Sequence, residues 1–556
     1  MFAAFGKRID RIALAACLLA AVIAAAWLRG PQLAARAMHA DEANQASKAA
    51  ILYETGKYEY DIRDQHGPTL YWLTLPSLWL RGVQDFAHSD AVDYRLVPVV
   101  FSLAMVLLVI LLADGLGAPA TGTAAGLTAL SPTLVFYSRY YIQETLLAAM
   151  TLAAIGCGWR YVRSGRAGWA IAAGAAGGLM YATKETWVLS AAAMAAALIL
   201  TLAWARLRDG AMPRLRLRIV PLLAALAAAC LVAGAFYSGF GRDWHGPWDS
   251  IKAYGNYWRR GTQSGLHVEP WSYYFKLLLA WRSLRHLYAP EAAILVLAAL
   301  GGVLSLCLGG FGESPLSPRG RGVGGEGSEA ARGVPSLALV RFLVFYSVIL
   351  AALYAAIPYK TPWCALGFLD GMLLVAAAAP WLLLNVFGTR RVPGTIFAAL
   401  MLLAAFSHLA WQSYLLNFRI PIDQRHPYGH SYTSPDVLKL AERLEALARV
   451  SPAGHDMILH VVVPEGYWPL PWYLRRFNAD HVGYWLDAAE WRKDAAAAGS
   501  PPPAVILFSP DVQDEIDAGL RGEYNKQMLF GLRPPGVFVL VYVREDLWRA
   551  FLAAGP

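Results

Sequence analysis

Long apolar stretches separated by short polar connections dominate the chain up to residue 416. Most of them approach the roughly 20 apolar residues that an α-helix needs to cross the hydrocarbon core of a bilayer. They are rich in Ala and Gly, which allow helices to pack closely in lipid. The pattern predicts about eleven membrane-spanning helices. These predicted helices cover residues 12–28, 95–113, 119–137, 143–159, 167–182, 186–205, 219–238, 290–309, 337–357, 364–386 and 394–416.

Beyond residue 416 the pattern changes to short apolar runs that alternate with helical stretches. The β-rich runs are 457–463, 504–508 and 537–543, and the helical stretches are 435–450 and 511–521. Alternating strands and helices are typical of an α/β domain. We therefore predict an all-α polytopic membrane domain over residues 1–416, followed by a small α/β domain outside the membrane over residues 417–556.

The segment 68–82 decides on which side of the membrane every later loop lies. Its apolar run of about fifteen residues contains Pro76, so it is short for a span and fits an interfacial helix. We predict that this segment lies along the membrane surface. The number of spans is then odd, and the long polar loops 29–94 and 239–289 lie on the same side as the tail.

Composition and the placement of charge agree with a membrane protein. Of the 556 residues, 57% are hydrophobic and 16% are charged, whereas a soluble protein carries about a quarter charged residues. Arg and Lys are concentrated in short loops on the side opposite the tail, the side that the positive-inside rule makes cytoplasmic. The formal charge of +9 is thereby explained by topology and not by nucleic-acid binding. We predict a cytoplasmic-membrane protein with a cytoplasmic N-terminus and an outer tail.

Two further features limit the function classes. The five cysteines contain no CxxC pair, so neither a disulfide framework nor a zinc site is indicated.

The connection 310–336 is rich in Gly, Pro and Ser and is predicted to be a cytoplasmic linker.

Five polar clusters that carry charge lie at the outer ends of the predicted spans. They are residues 38–42, 63–68, 138–144, 183–186 and 358–363. Charged side chains so close to lipid are energetically expensive and by default mark a functional cavity. Each charge taken singly could equally snorkel to the interface. Because all five clusters share one face, we favour a common cavity for the set.

The ordered set of clusters resembles the GT-C glycosyltransferase superfamily, which includes the dolichyl-phosphate-mannose–protein mannosyltransferases and the lipid A aminoarabinose transferases. The segment HADEANQASKAAILYETGKYEYDIRDQHGPTLYWLTLP resembles the first outer loop of that superfamily. The segments YSRYYIQE, ATKETW, IPYKTPW, HPYGHSYTSPDVLKLAERL and WPLPWYLRRF are similar to landmarks of a prokaryotic subgroup called flippase activity-associated protein Agl23-like. The resemblance covers most of the chain.

The resemblance implies an inverting membrane glycosyltransferase, which moves a sugar from a polyprenyl-phosphate donor to an acceptor protein, lipid or glycan on the outer face. Such a transfer needs a carboxylate that accepts the proton of the incoming hydroxyl. Asp41 matches the acidic position of the superfamily in the first outer loop, so it is the candidate general base. Glu42 would orient Asp41 or share a cation with it. A solvated interfacial pair is the alternative interpretation of these two residues.

The departing phosphate needs cationic groups or a metal ion. The candidates for substrate binding on the later spans are Arg139, Gln143, Glu144, Lys184, Glu185, Lys360 and Trp363. The cations among them would bind the lipid phosphate, and the glutamates would hold the cations in place. Structural ion pairs at helix ends are the alternative interpretation.

Asp64 and His66 are further candidates for substrate binding. They occupy the place where lipid A-modifying relatives carry a Glu-Lys pair before two prolines, and this chain has Gln65-His66-Gly67-Pro68 instead. That departure leaves the role of the loop open. His39 and His66 also leave open a bound divalent cation, and no other cofactor is indicated.

A non-catalytic or transport-associated protein of lipid-linked sugar metabolism is the alternative function, as the name of the subgroup implies. Transporters tend to place ionisable residues near the bilayer midplane on discontinuous helices. In this chain the charges lie at span ends, which favours the enzyme.

Overall fold

The computed structural model describes residues 2–62, 66–210, 218–262, 268–283, 286–308, 335–387, 391–421, 426–496, 501–533 and 536–555. The described part is a helical membrane domain followed by a smaller domain with a sheet, so the predicted fold class is confirmed. The predicted linker 310–336 lies almost wholly outside the described residues.

The membrane domain contains seventeen helices within the described ranges, several of them short. They are α1 (Phe2–Arg29), α2 (Ala40–Thr55), α3 (Thr69–Leu80), α4 (Ala91–Leu108), α5 (Ala113–Leu116), α6 (Ala118–Leu130), α7 (Pro132–Ser138), α8 (Glu144–Ser164), α9 (Ala167–Thr183), α10 (Trp187–Asp209), α11 (Ile219–Tyr237), α12 (Gly246–Thr262), α13 (Tyr273–Leu279), α14 (Ala292–Cys307), α15 (Leu337–Ala356), α16 (Ala365–Phe387) and α17 (Arg391–Tyr414). Strands β1 (Trp281–Ser283) and β2 (His286–Tyr288) form an antiparallel pair between α13 and α14.

Eight helices of the described ranges are long and apolar enough to cross a membrane. They are Asp10–Arg29, Ala91–Leu116, Glu144–Ser164, Trp187–Asp209, Ile219–Tyr237, Leu337–Ala356, Pro362–Phe387 and Val392–Arg419. Three predicted spans fall short of that length: α9 has 17 residues, α14 has 16, and the stretch 119–137 is divided between α6 and α7. The count of eleven therefore stays a prediction.

Helix α3 occupies the segment that decides the topology. Its 12 residues correspond to roughly 18 Å of helix, which is shorter than the roughly 30 Å hydrocarbon core. Leu70, Tyr71, Leu75 and Leu78 are buried, and α3 packs against α2, α4 and α9. The length agrees with a helix that does not cross the membrane, and its position along the surface remains a prediction.

Close backbone contact joins α9 to α11. A Cβ atom at Gly174 would lie 2.0 Å from the carbonyl oxygen of Ala225, and one at Gly178 would lie 2.5 Å from that of Ala229. The two glycines are four residues apart and therefore lie on one face of α9. The absence of side chains on this face allows the backbones of α9 and α11 to meet.

The tail folds around a five-stranded sheet. Its strands are β3 (Leu459–Val462), β4 (Val482–Trp485), β5 (Val505–Phe508), β6 (Tyr524–Arg533) and β7 (Val537–Arg544), and its helices are α18 (Asp436–Val450), α19 (Leu470–Tyr473), α20 (Ala488–Ala496), α21 (Gln513–Gly519) and α22 (Glu545–Ala554). The strand order is β4-β3-β5-β7-β6. Strand β3 is parallel to β4 and β5, whereas β7 is antiparallel to β5 and β6. The three predicted β-rich runs form the three central strands.

The tail packs on the loop between α1 and α2. The backbone N–H of Met38 donates to the hydroxyl of Tyr473 at 2.9 Å, and the hydroxyl of Thr433 donates to the carbonyl oxygen of Met38 at 2.8 Å. Arg475 donates to the carbonyl oxygen of Ser89 at 2.7 Å. These contacts hold the tail beside the first turn of α2, where the candidate base lies.

Candidate active site

The first turn of α2 is fixed by a reciprocal cap. The N–H of Asp41 donates to Nδ1 of His39 at 3.1 Å, and the N–H of His39 donates to Oε2 of Glu42 at 3.0 Å. The other ring nitrogen of His39 lies 3.0 Å from the carbonyl oxygen of His430. Since Nδ1 accepts a hydrogen bond and so carries no hydrogen, Nε2 carries the ring hydrogen and donates to that oxygen. The cap thereby orients the whole turn.

Glu42 is the buried member of the acidic pair. Its side chain has no exposed surface, and its two oxygens accept from Nε and Nη2 of Arg95, each at 2.7 Å. The N–H of Tyr141 donates to the same carboxylate at 2.8 Å. Burial alone would raise the pKa of Glu42, but the charge and hydrogen bonds of Arg95 lower it to about 2. Glu42 is therefore an ionised anchor that fixes α2 to α4.

Asp41 is the exposed member of the pair. Its side chain is 53% exposed, and its carboxylate lies 3.8 Å from Nδ1 of His39. The tail contributes a positive charge opposite this carboxylate: burial lowers the pKa of Arg533, and the charge of Asp41 acts against that effect. Asp41 is thus an accessible carboxylate on a turn that Glu42 and His39 hold in place.

A second charged cluster lies where α8 begins and where α9 is followed by α10. Lys184 forms an ion pair with Glu144, and Oε2 of Glu185 lies 2.9 Å from Nδ1 of His66. The side chains of Glu144, Lys184 and Glu185 are at most 10% exposed. Burial alone would raise the pKa of Glu185, and His66 lowers it below its ordinary value. Both glutamates are therefore held by cationic or proton-donating partners.

A pocket opens beside this cluster, between α8, α10, α15 and α16. It is lined by Glu144, Leu147, Ala148, Thr151, Thr186, Ser190, Tyr354, Trp363, Cys364, Leu366 and Gly367. The ring of Trp363 also lies 6.0 Å from the ring of His39, centroid to centroid. Gln143 donates to Oε1 of Gln45 at 2.9 Å, which joins the start of α8 to α2. The second cluster and the Asp41 turn are thus joined through Trp363 and Gln143.

The two remaining candidate cations bind carbonyl oxygens. Arg139 donates to three carbonyls at the end of α1 and just after it, over 3.1 to 3.3 Å. Nζ of Lys360 donates to the carbonyls of Glu269, at 2.9 Å, and Ile357, at 2.5 Å. These bonds would have to be exchanged before either residue bound a phosphate. Asp64 lies outside the described residues.

Two residues on which the site depends are not among the candidates predicted from the sequence. Arg95 begins the predicted span 95–113, and Arg36 lies outside the five polar clusters. The guanidinium carbon of Arg36 lies 3.4 Å from the ring centroid of Tyr140, and its Nη2 lies 3.8 Å from Glu42. A buried Arg at the start of an apolar run, with an acidic residue in a neighbouring loop, is the signal that could have identified Arg95.

The histidines give no support for a metal ion. Within the ranges that the structure describes, no group of three or more His, Cys, Asp or Glu side chains could hold one. Both ring nitrogens of His39 are already hydrogen-bonded. A divalent cation at this turn would therefore require His39 to give up one of its bonds.

Comparison with known proteins agrees with this architecture. The family model described as dolichyl-phosphate-mannose-protein mannosyltransferase matches residues 65–233, which is less than half of the chain. No curated protein matches the chain in sequence. The structure is similar to that of ArnT from Cupriavidus metallidurans bound to undecaprenyl phosphate, with a TM-score of 0.62, 14% identity, and coverage of 96% of this chain and 98% of that chain.

Two archaeal structures are also similar. The Archaeoglobus fulgidus oligosaccharyltransferase tethered with an acceptor peptide has a TM-score of 0.53 and 12% identity, and the match covers 97% of this chain and 76% of that one. AglB from the same organism, in complex with an inhibitory peptide and a dolichol-phosphate, has a TM-score of 0.50 and 11% identity, with 97% and 77% coverage. At such identities these likenesses establish a shared fold.

Proposed function

We propose that this protein is a membrane glycosyltransferase that moves a sugar from a polyprenyl-phosphate carrier to an acceptor protein, lipid or glycan on the outer face of the cytoplasmic membrane. The observation that carries the proposal is the division of the acidic pair. Glu42 is buried and bound by Arg95, whereas the carboxylate of Asp41 on the same turn is accessible. The family model and the fold shared with proteins whose structures contain bound undecaprenyl phosphate or dolichol-phosphate support it.

The chemistry assigned to Asp41 is general-base catalysis. The acceptor hydroxyl attacks the anomeric carbon from the face opposite the phosphate, and Asp41 takes the hydroxyl proton as the new C–O bond forms. The bond between the anomeric carbon and the phosphate oxygen breaks, and the polyprenyl phosphate leaves with the electron pair. The single displacement inverts the anomeric configuration. The cap formed by His39 and Glu42 would keep Asp41 in the orientation that this step needs.

The pocket that contains Glu144 and Trp363 is the proposed site for the donor. Its aromatic rings, hydroxyl groups and carboxylate are groups that a sugar can stack on and hydrogen-bond to. Lys184, held by Glu144, is the proposed cation for the lipid phosphate. Glu185 and His66 would support the loop that carries Lys184.

Transfer by the purified protein is the decisive experiment. The full chain in detergent would be given radiolabelled polyprenyl-phosphate sugars together with a membrane extract as the source of acceptors. Label should move to a product that no longer partitions with the carrier. Asp41→Asn should lower the rate by about a hundred- to ten-thousand-fold, because a general base typically contributes that factor.

Asp436→Asn is the matched control. Asp436 also lies in the first turn of a helix, with a side chain that is 44% exposed. It belongs to α18 of the tail, so this variant should transfer sugar at the normal rate. If Asp41→Asn retained normal transfer, Asp41 would not be the base. If the unmodified protein transferred none of the sugars, a transport-associated role would be favoured.

A further inference from the structure

Four arginine side chains surround the connection between α1 and α2. They are Arg29, Arg36, Arg95 and Arg139, called here the arginine cluster, and each is at most 12% exposed. Among the described residues, Glu42 is the one carboxylate joined to this cluster by an ion pair or a hydrogen bond. Four guanidinium groups and one carboxylate leave three positive charges without a negative counterpart in the cluster.

Neutral carbonyl groups satisfy most of the hydrogen-bond donors of the cluster without cancelling its charge. Arg29 donates to the carbonyls of Thr128 and Ala129, at 3.0 and 2.8 Å, and Nη1 of Arg95 donates to those of Leu33 and Arg36, at 2.6 and 2.9 Å. Burial, with the nearby charges of Arg36 and Arg95, lowers the pKa of Arg139 to about 10.

Arg36 is the member of the cluster that reaches an open pocket. The narrow pocket is lined by Arg36, Ala37, His39, Tyr140, Pro421, Gly429, Tyr432 and Thr433. Nη2 of Arg36 donates to the carbonyl of Arg139 at 2.7 Å, but its Nε is buried without a hydrogen-bond partner. A charged donor left unpaired in a buried position is costly. Tyr140 and Tyr432, which line the same pocket, carry hydroxyl groups that can donate hydrogen bonds.

The geometry points to an anion-binding site in this pocket, formed by Arg36 with hydroxyl donors around it and taking a tetrahedral phosphate group. A guanidinium fork matches phosphate oxygens in two parallel hydrogen bonds, and the net positive charge of the arginine cluster attracts the same ligand. The site lies at the end of the candidate span Asp10–Arg29, so the phosphate could belong to a lipid headgroup or be free in solution. The inference does not depend on the catalytic role of Asp41.

Thermal unfolding of the full chain in detergent tests the site without any transfer reaction. Inorganic phosphate and sulfate should raise the unfolding midpoint saturably, whereas chloride at the same ionic strength should not, because a specific ligand stabilises the state that binds it. Arg36→Gln should weaken phosphate binding by about tenfold or more, which corresponds to one lost charge-assisted contact. Arg476→Gln is the control, since Arg476 is 58% exposed in the tail.

Competition identifies the source of the phosphate. Bound radiolabelled phosphate should be displaced by micelles containing phosphatidylglycerol, and not by phosphatidylcholine, if the site takes an anionic lipid headgroup. Displacement by inorganic phosphate alone would assign the site to a soluble phosphate. Arg36→Lys, which keeps the charge and loses the fork, provides the weakened variant if Arg36→Gln does not fold. An unmodified protein that phosphate stabilises no more than chloride does would overturn the inference, as would unchanged affinity in a folded Arg36 variant.

Discussion

At the scale of single residues, burial separates two neighbouring carboxylates into different roles. Asp41 and Glu42 are adjacent in the sequence, but successive helical residues point about 100° apart. Glu42 faces α4 and Arg95, and Asp41 faces solvent and the tail. The sequence identified the pair, whereas the division of roles depends on which side of α2 packs against the membrane domain. That packing comes from residues as distant as Arg95 and Tyr141.

Glu42→Gln should destabilise the protein strongly. The substitution removes the negative charge that Arg95 and Arg36 share in a fully buried position, and breaking a buried pair in this way typically costs about 3–5 kcal/mol. The measurement is thermal unfolding in detergent, together with the yield of folded protein. Glu54→Gln on the same helix is the control, because Glu54 is exposed and accepts a single hydrogen bond from the N–H of Phe86. Equal unfolding midpoints for the two variants would show that Glu42 does not anchor α2.

The stability of the protein should fall in acid through Glu42. The folded-state pKa of about 2 is below the ordinary value of 4.5, so the unfolded chain binds the proton first as the pH falls. The stabilising contribution of Glu42 is fully present above pH 4.5 and is lost as the pH falls from 4.5 towards 2. Unfolding midpoints across that window should drop less steeply in Glu42→Gln than in the unmodified protein. Parallel curves would contradict a depressed pKa.

At the scale of elements, apolar runs predicted the positions of helices more accurately than the residues at which the helices end. The run 119–137 looked like one span, but Pro132 lacks an N–H and begins a new helix at its first position. The buried carboxylate of Glu291 accepts from the hydroxyl of Ser131, at 2.7 Å, and from the N–H of Thr133, at 2.8 Å. A partner so distant in the sequence is invisible to a hydropathy pattern.

The strands of the tail also show how far an apolar pattern can predict structure. The runs that became β3, β5 and β7 are continuous apolar segments, as expected of strands buried in the middle of a sheet. Strands β4 and β6 were missed because they are the two edges of the sheet. Edge strands face solvent on one side and tolerate Gly and charged residues, which weakens the pattern that identifies a strand.

Replacing Gly178 by Leu should disrupt the packing of α9 on α11. A Cβ atom at Gly178 would already lie 2.5 Å from the carbonyl oxygen of Ala229, so a larger side chain would force the two helices apart. Overpacking of this kind typically costs about 1–3 kcal/mol, and backbone contact places this site at the upper end. Gly177→Leu is the control on the same helix, since a Cβ atom at Gly177 meets nothing within 4 Å. Thermal unfolding in detergent should separate the variants, and equal midpoints would contradict the observed contact.

At the scale of the whole molecule, the candidate site is assembled from segments that only the fold brings together. Asp41 follows the first helix, Trp363 precedes α16, and Arg533 belongs to the tail. The order of the polar clusters along the chain predicted that they share one face, because each lies at the outer end of a span. The sequence could not predict that Arg139 and Lys360 bind backbone carbonyls, since that depends on where neighbouring helices end.

The orientation of the molecule in the membrane is the last prediction. The basic loops share one side only if the number of spans is odd, and the short, Pro-containing α3 agrees with that parity because it is too short to add a crossing. An alkaline phosphatase fused after Pro556 should therefore be active, since this enzyme folds only outside the cytoplasm. The same reporter inserted in the loop 310–336, which carries three arginines, should be inactive. Activity in the loop, with or without activity after Pro556, would place an additional crossing before that loop. If α3 were that crossing, the polar clusters after it would face the cytoplasm, whereas the Asp41 turn before it would stay outside. Asp41 and Lys184 would then lie on opposite sides of the membrane, so the shared cavity and the proposed reaction on the outer face would both be wrong.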